Sequence, residues 1–328
     1  MKKIVLTGIS AIEAWDIGLC AQARPVERLD LSNCAVGKQD RAGLNELVRP
    51  LTRPLHVLSS GKGMRRNSRE FQCHVLTREV PRHSYFEIGE ETYVEAPYLY
   101  FAQRAGRLSL SQACLLGMEL CGNYSTLWLH GANHRIGDSR KGALERPPLA
   151  SVERLERYAH AYGLGRKSMA LRACKVLAEG ARSPRESALH LLLQMDGRHG
   201  GYAQSGYQIN ARVPLAPEFR ALMGEDTLEV DFLWRNHAFA LEYDGRDWHA
   251  DDRQRAYDNM RRSVLREMGI DVLVVDKWQM GDLTAFDAIM QMVADRAGGP
   301  SVRHDAKSRD ARMELRAQLL APRIDLYR

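Results

Sequence analysis

From Thr227 to Asp244 polar and apolar residues take turns along the chain. Leu228, Val230, Phe232 and Trp234 share one face of an extended segment, with Glu229 and Asp231 on the other. After Arg235-Asn236-His237 the pattern resumes, with Leu241 and Tyr243 on one side and Glu242 and Asp244 on the other. A two-residue period predicts strands, and the polar break predicts a tight turn between them. Folding about Asn236 sets Asp231 opposite Leu241 or Glu242, so three carboxylates gather at one end of a hairpin. Carboxylates crowded in this way repel one another unless a positive charge intervenes, and a divalent cation is the usual partner.

The same reading orders the rest of the chain. Ile4-Val5-Leu6 predicts a short strand, and Ser10 with Glu13 has the spacing of a capping box before a helix through Ile12 and Trp15. Leu55–Leu58, Phe71–Val75 and Tyr85–Ile88 read as strands, and 96–120 as helices, one opening at Ser109-Leu110-Ser111-Gln112. The Gly-, Arg- and Pro-rich stretch 135–148 reads as a linker, followed by a helical pair broken near Gly163-Leu164-Gly165. Ser183-Pro184-Arg185-Glu186 carries the cap, first-turn proline and acid of a helix start. Beyond the hairpin, 253–268 predicts a strongly basic helix with Tyr257, Val264 and Leu265 inward. Ile270–Val275 is apolar apart from Asp271, as in a strand covered on both faces. A helix capped near Thr284 runs to about Arg296, and the last stretch is charged, with a helix around 311–320. The expected organisation is an α+β domain over 1–140, a helical connector over 141–182, an α/β domain over 183–298 and a charged helical tail over 299–328.

Composition narrows the class. With 328 residues, 45% hydrophobic and 27% charged, the chain is long enough for two cored domains and is not disordered. Its formal net charge of +6 suits a polyanionic partner without proving one. The six scattered cysteines form no Cys-x-x-Cys pair, which argues against a zinc ribbon or a disulfide framework and for reduced thiols in a cytoplasmic protein. No apolar run is long enough for a membrane span. The apolar run Ile4–Ile12 ends at Glu13 and Asp16, too soon for a signal peptide. In the first half, Gly61-Lys62-Gly63-Met64-Arg65-Arg66 is the most basic spot. It lacks the spacing of a nucleoside-triphosphate loop. Lys62, Arg65 and Arg66 form either a phosphate-contacting face or a solvated loop.

In the second half, helix, antiparallel hairpin with Asp and Glu-x-Asp, helix and strand follow the order of the PD-(D/E)xK nuclease fold. Asp231-Phe232 and Gly245-Arg246-Asp247-Trp248-His249 resemble the branch related to the very-short-patch-repair endonuclease. With Ser183-Pro184-Arg185-Glu186, Asp258-Asn259-Met260-Arg261 and Gly269-Ile270-Asp271-Val272, the stretch 180–298 is similar to a bacterial domain of uncharacterised function. The first half resembles, more faintly, the antitoxin of abortive-infection systems, through the strands around His56 and His74, Val94-Glu95-Ala96-Pro97 and the helix through Leu110.

The resemblance implies a restriction-endonuclease-like mixed sheet flanked by helices, an α/β architecture, and a Mg²⁺- or Mn²⁺-dependent endonuclease acting on DNA ahead of RNA. It also implies a defence, repair or toxin–antitoxin setting, with a cognate toxin as a second partner. Asp231 and Glu242 become direct metal ligands. Asp244 is a third ligand or a cap of the Gly245 turn. His249 is a general base, a phosphate contact, or a histidine packed beside Trp248. Glu186 reaches the metal or serves only the capping box. Arg261 and Arg262 contact a phosphate or belong to an ordinary helix-surface pair with Asp258. One departure stands out: the family places a lysine where this chain has Asp244. The alternative to an enzyme is therefore a nuclease-fold DNA-binding regulator.

Overall fold

The computed structural model describes residues 3–34, 47–61, 67–126, 143–245 and 252–321. They form two compact units, one ending at Pro184 and the other comprising Arg185–Ala321.

The first unit runs β1 (Ile4–Leu6), α1 (Gly8–Asp16), β2 (Arg24–Val26), β3 (Leu55–Ser59), β4 (Phe71–Val75), β5 (Tyr85–Gly89) and β6 (Thr92–Glu95). It continues with α2 (Pro97–Arg104), α3 (Leu110–Cys121), β7 (Tyr124–Ser125), β8 (Leu144–Glu145), α4 (Val152–Ala161) and α5 (Met169–Cys174). Its sheet has the order β2-β5-β6-β1-β3-β4. β1 lies parallel to β6 and β3 to β4, and the other neighbours are antiparallel. Ser109 and Gln112 do form a capping box on α3. The box expected at Ser10 and Glu13 does not exist. α1 starts earlier, after Thr7, so both residues lie inside the helix and serve distant segments. Ser10 Oγ accepts from the His56 amide at 2.9 Å, and Glu13 takes the Thr52 amide and hydroxyl. The helices of 141–182 are no free connector: α4 packs on α2 and α5 on α3.

Arg146, in the stretch that reads as a linker, is the tie between these parts. It is buried, and its Nε lies 2.5 Å from Asp16 Oδ1. Its other nitrogens donate to the carbonyls of Gly122, Pro147 and Glu119, while Ser125 Oγ donates to the second Asp16 oxygen at 2.6 Å. Removing one member of a buried, hydrogen-bonded pair strands the other charge. Arg146→Ala should therefore lower the unfolding free energy by about 3–5 kcal/mol, measured by urea titration at pH 7. A loss below about 1 kcal/mol, typical of an exposed pair, would contradict this burial.

The second unit runs α6 (Pro184–Gln194), β9 (Gln208–Pro214), α7 (Pro217–Met223), β10 (Thr227–Trp234), β11 (Phe239–Asp244), α8 (Asp252–Glu267) and β12 (Asp271–Asp276). α9 (Lys277–Gly281), α10 (Leu283–Ala297) and α11 (Ala306–Leu319) complete it. It is a mixed α/β unit whose sheet has the order β12-β11-β10-β9, antiparallel except for the parallel pair β11 and β12. β12 is thus an edge strand among the described residues, not the inner strand its apolar run suggests. Val272 and Val275 are buried while Leu273 and Val274 are half-covered. α10 is capped by Asp282, whose carboxylate accepts from the Ala285 amide, two residues before the expected Thr284.

The charged tail, as far as Ala321, is part of this unit. Arg312 of α11 is buried 3.0 Å from Asp287, and Arg316 is buried with a bond to the Met280 carbonyl. Gly200, at φ +83°, allows the close approach: a Cβ there would stand 2.1 Å from the Ala311 carbonyl oxygen.

Candidate functional site

Side-chain alternation and the turn decide what meets on the hairpin. Arg235–His237 forms the turn, closed by Ala238 in a left-handed conformation at φ +47°. Phe232 pairs with Leu241; continuing that register would set Asp231 against Glu242 on one face of the sheet, and Glu242 is near enough for its charge to act on Asp231. Apolar neighbours on both strands take this end of the hairpin out of water. Glu242 is buried and Asp231 half-buried.

Each acid has a defined partner. Asp231 Oδ2 accepts the Tyr243 amide at 2.7 Å. Burial pushes the Asp231 carboxyl up to about 7; the Tyr243 amide opposes the shift, and the charges of Glu186 and Glu242 add to it. Glu242 Oε1 lies 2.7 Å from Arg261 Nη2, and the same nitrogen donates to the Glu229 carbonyl. That approach is close but poorly directed: Glu242 Oε1 is buried without an aligned hydrogen bond, so charge holds the pair. Arg261 reaches inward because Tyr257, Arg261, Val264, Leu265 and Met268 follow helical spacing, and the apolar ones pack into the unit's core.

Glu186 sits in the first turn of α6, and its Oε2 accepts from Asn210 Nδ2 at 2.9 Å. Asn210 has φ +47°, where the β9–β10 register passes from Ala211–Val230 to Ile209–Phe232. Left-handed backbone suits asparagine better than most residues, and here it sends the amide to the acid. Sequence reading missed Asn210. Its signal was an asparagine, a poor strand former, inside a strand.

Asp244 stands at the end of β11, in register with Asp276, and its Oδ2 is 4.0 Å from Arg262. Gly245 follows closely on Tyr243, and a Cβ there would lie 2.8 Å from the Tyr243 ring. The expected trio is therefore not assembled: Asp231 and Glu242 meet, with Glu186 near enough for its charge to act on Asp231, and Asp244 keeps company with Arg262. Among the described residues no three His, Cys, Asp or Glu side chains form a group able to hold a metal ion. Mg²⁺ takes one or two protein carboxylates and keeps several waters. Asp231 and Glu242 match that donor chemistry in number and type, once the charge of Arg261 is withdrawn.

His249, Lys62, Arg65 and Arg66 lie outside the described residues. In the first unit several arginines of the basic stretch are engaged within the chain. Arg53 lies 3.4 Å from Glu70, Arg82 2.6 Å from Glu27, and Arg78 over the Tyr162 ring. His74 Nε2 is 3.1 Å from His56 Nδ1, and burial beside that ring lowers His56 to about 4. All six cysteines are buried and unpaired with one another. Among the described residues no helix is long and apolar enough to cross a membrane. Compared with protein-family models, with curated proteins and with solved structures, the chain finds no match.

The raised Asp231 carboxyl has a consequence for stability. A carboxyl whose folded pKa is raised stabilises the fold fully below its unfolded value of 3.8. That contribution is lost as pH rises through about 7. Asn at this position keeps an oxygen for the Tyr243 amide and never ionises. In EDTA, Asp231→Asn should therefore exceed the wild type in unfolding free energy by on the order of 2 kcal/mol at pH 8. The gap should close by pH 4, as followed by denaturant titration at each pH. A pH-independent difference would show that burial does not govern this carboxyl.

Proposed function

We propose that this chain is a divalent-metal-dependent endonuclease that hydrolyses phosphodiester bonds in DNA, on a restriction-endonuclease-like second unit. The observation that carries the reading is the meeting of Asp231 and Glu242 across the β10–β11 hairpin, beside Glu186 and under the arginines of α8. Magnesium or manganese, when bound, would screen the phosphate oxygens and acidify a coordinated water. Asp231 and Glu242 would hold it, and Glu186 would orient a water from the first turn of α6. Arg262, beside Asp244, would meet a flanking phosphate, for which a guanidinium fork is well matched. The role of the lysine that the nuclease fold usually carries would fall to His249, whose imidazole can take a proton from a water.

The second reading is a DNA-binding regulator that has kept the scaffold and lost hydrolysis. It is favoured by one observation: Glu242 already has a positive partner in Arg261. The two readings separate on supercoiled plasmid and on single-stranded DNA, with Mg²⁺ or Mn²⁺. The endonuclease reading expects nicking that falls by at least about 100-fold in Asp231→Asn, the scale of losing a metal-held nucleophile, with DNA binding retained. Absence of cleavage with either metal, together with salt-dependent binding that Asp231→Asn leaves unchanged, would overturn it in favour of the regulator.

A further inference from the structure

We propose that Arg261 is a displaceable internal counter-ion, held by Glu242 at rest and passed to a DNA phosphate when a divalent cation takes the carboxylate, so that cation and DNA binding reinforce each other. The inference rests on the metal-dependent reading above and goes beyond it, because it assigns the coupling of the two ligands to one side chain.

Three features carry it. First, Arg261 Nη2 is within 2.7 Å of Glu242 Oε1, yet that buried oxygen receives no aligned hydrogen bond. The pair therefore rests on charge and not on directed, bidentate bonds. Second, the same nitrogen is shared with the Glu229 carbonyl, so the guanidinium has a neutral contact that does not depend on Glu242. Third, Arg261 is not sealed in: its side chain keeps a fifth of its surface exposed, against a tenth for Glu242. The helix itself is held by the buried Val264 and Leu265. The arm can therefore swing while its base stays fixed.

The chemistry supplies the exchange. A guanidinium is always charged and binds carboxylate and phosphate oxygens in the same manner. A doubly charged ion on Glu242 removes the attraction for Arg261 and adds repulsion. Conversely, a phosphate that draws Arg261 away leaves Glu242 buried and negative, the state that most favours a cation. By linkage the two effects are equal. No bond is made or broken in this exchange.

The test measures Mn²⁺ affinity of the full chain by the electron paramagnetic resonance of free Mn²⁺. It is run with and without a short duplex whose phosphorothioate linkages resist cleavage. In wild type the duplex should tighten Mn²⁺ binding by roughly tenfold, within the usual range of coupling between sites. Arg261→Gln should bind Mn²⁺ about as tightly without DNA as wild type does with it, and should show no further gain from DNA. Arg261→Lys, which keeps a charge and a long arm, should restore part of the coupling and serves if the glutamine variant fails to fold. Unchanged Mn²⁺ affinity in Arg261→Gln, or coupling that persists in it, would overturn the proposal and mark the pair as structural. So would the absence of Mn²⁺ binding in every variant. The endonuclease reading fails separately: tighter Mn²⁺ binding in Arg261→Gln with no cleavage by the wild type would keep the exchange and discard the hydrolase.

Discussion

A carboxylate taken out of water must be neutralised, protonated or matched by a cation. Glu242 and Asp231 meet this constraint in different ways on the same hairpin. Glu242, buried on β11, draws the guanidinium of Arg261 to 2.7 Å. Asp231, one strand away, receives the Tyr243 amide, and burial pushes its carboxyl up to about 7. One acid is paired and the other is poised near neutrality. That difference between adjacent groups is the feature from which every functional reading of this unit follows.

The first unit answers the same constraint with a different result. Asp16 is wrapped by Arg146 and Ser125, and every remaining nitrogen of the arginine faces a backbone carbonyl. Such an arrangement is closed, and it ties α1 to the segment after α3. At Glu242 the oxygen facing the arginine lacks an aligned donor. These two buried ion pairs thus differ in how completely their polar atoms are satisfied. The first belongs to the architecture and the second to the candidate site; the buried Arg312–Asp287 pair stands beside them, with Arg312 Nε also lacking an aligned acceptor.

Much of this was legible in the sequence where the cause was local. The alternation from Thr227 to Asp244 placed both strands and the turn at Arg235–His237, and set Asp231 opposite Leu241 or Glu242. The spacing of Tyr257, Val264 and Leu265 oriented α8 correctly. What escaped was set by distant partners. Ser10 and Glu13 matched a capping box, yet segments more than thirty residues away claimed both side chains. The apolar run of β12 promised an inner strand, but strand order depends on which edges remain unpaired, and no local period records that. The linker-like stretch ending at Pro148 concealed Arg146, because a lone arginine among Gly and Pro carries no sign of its burial. Arg261 was marked as a phosphate contact. Its place on the inward stripe of α8, four residues after Tyr257, was the available clue that it would first meet an acid.

We propose that Asp231 and Glu242 accept one cation between them, displacing the Arg261 guanidinium that lies beside Glu242. Crystals grown with Mn²⁺ and measured at the manganese absorption edge test it most directly. The account predicts an anomalous peak shared by the two carboxylates, with the Arg261 guanidinium moved off Glu242. Crystals saturated with Mn²⁺ that show no such peak, with Arg261 still seated on Glu242, would contradict it.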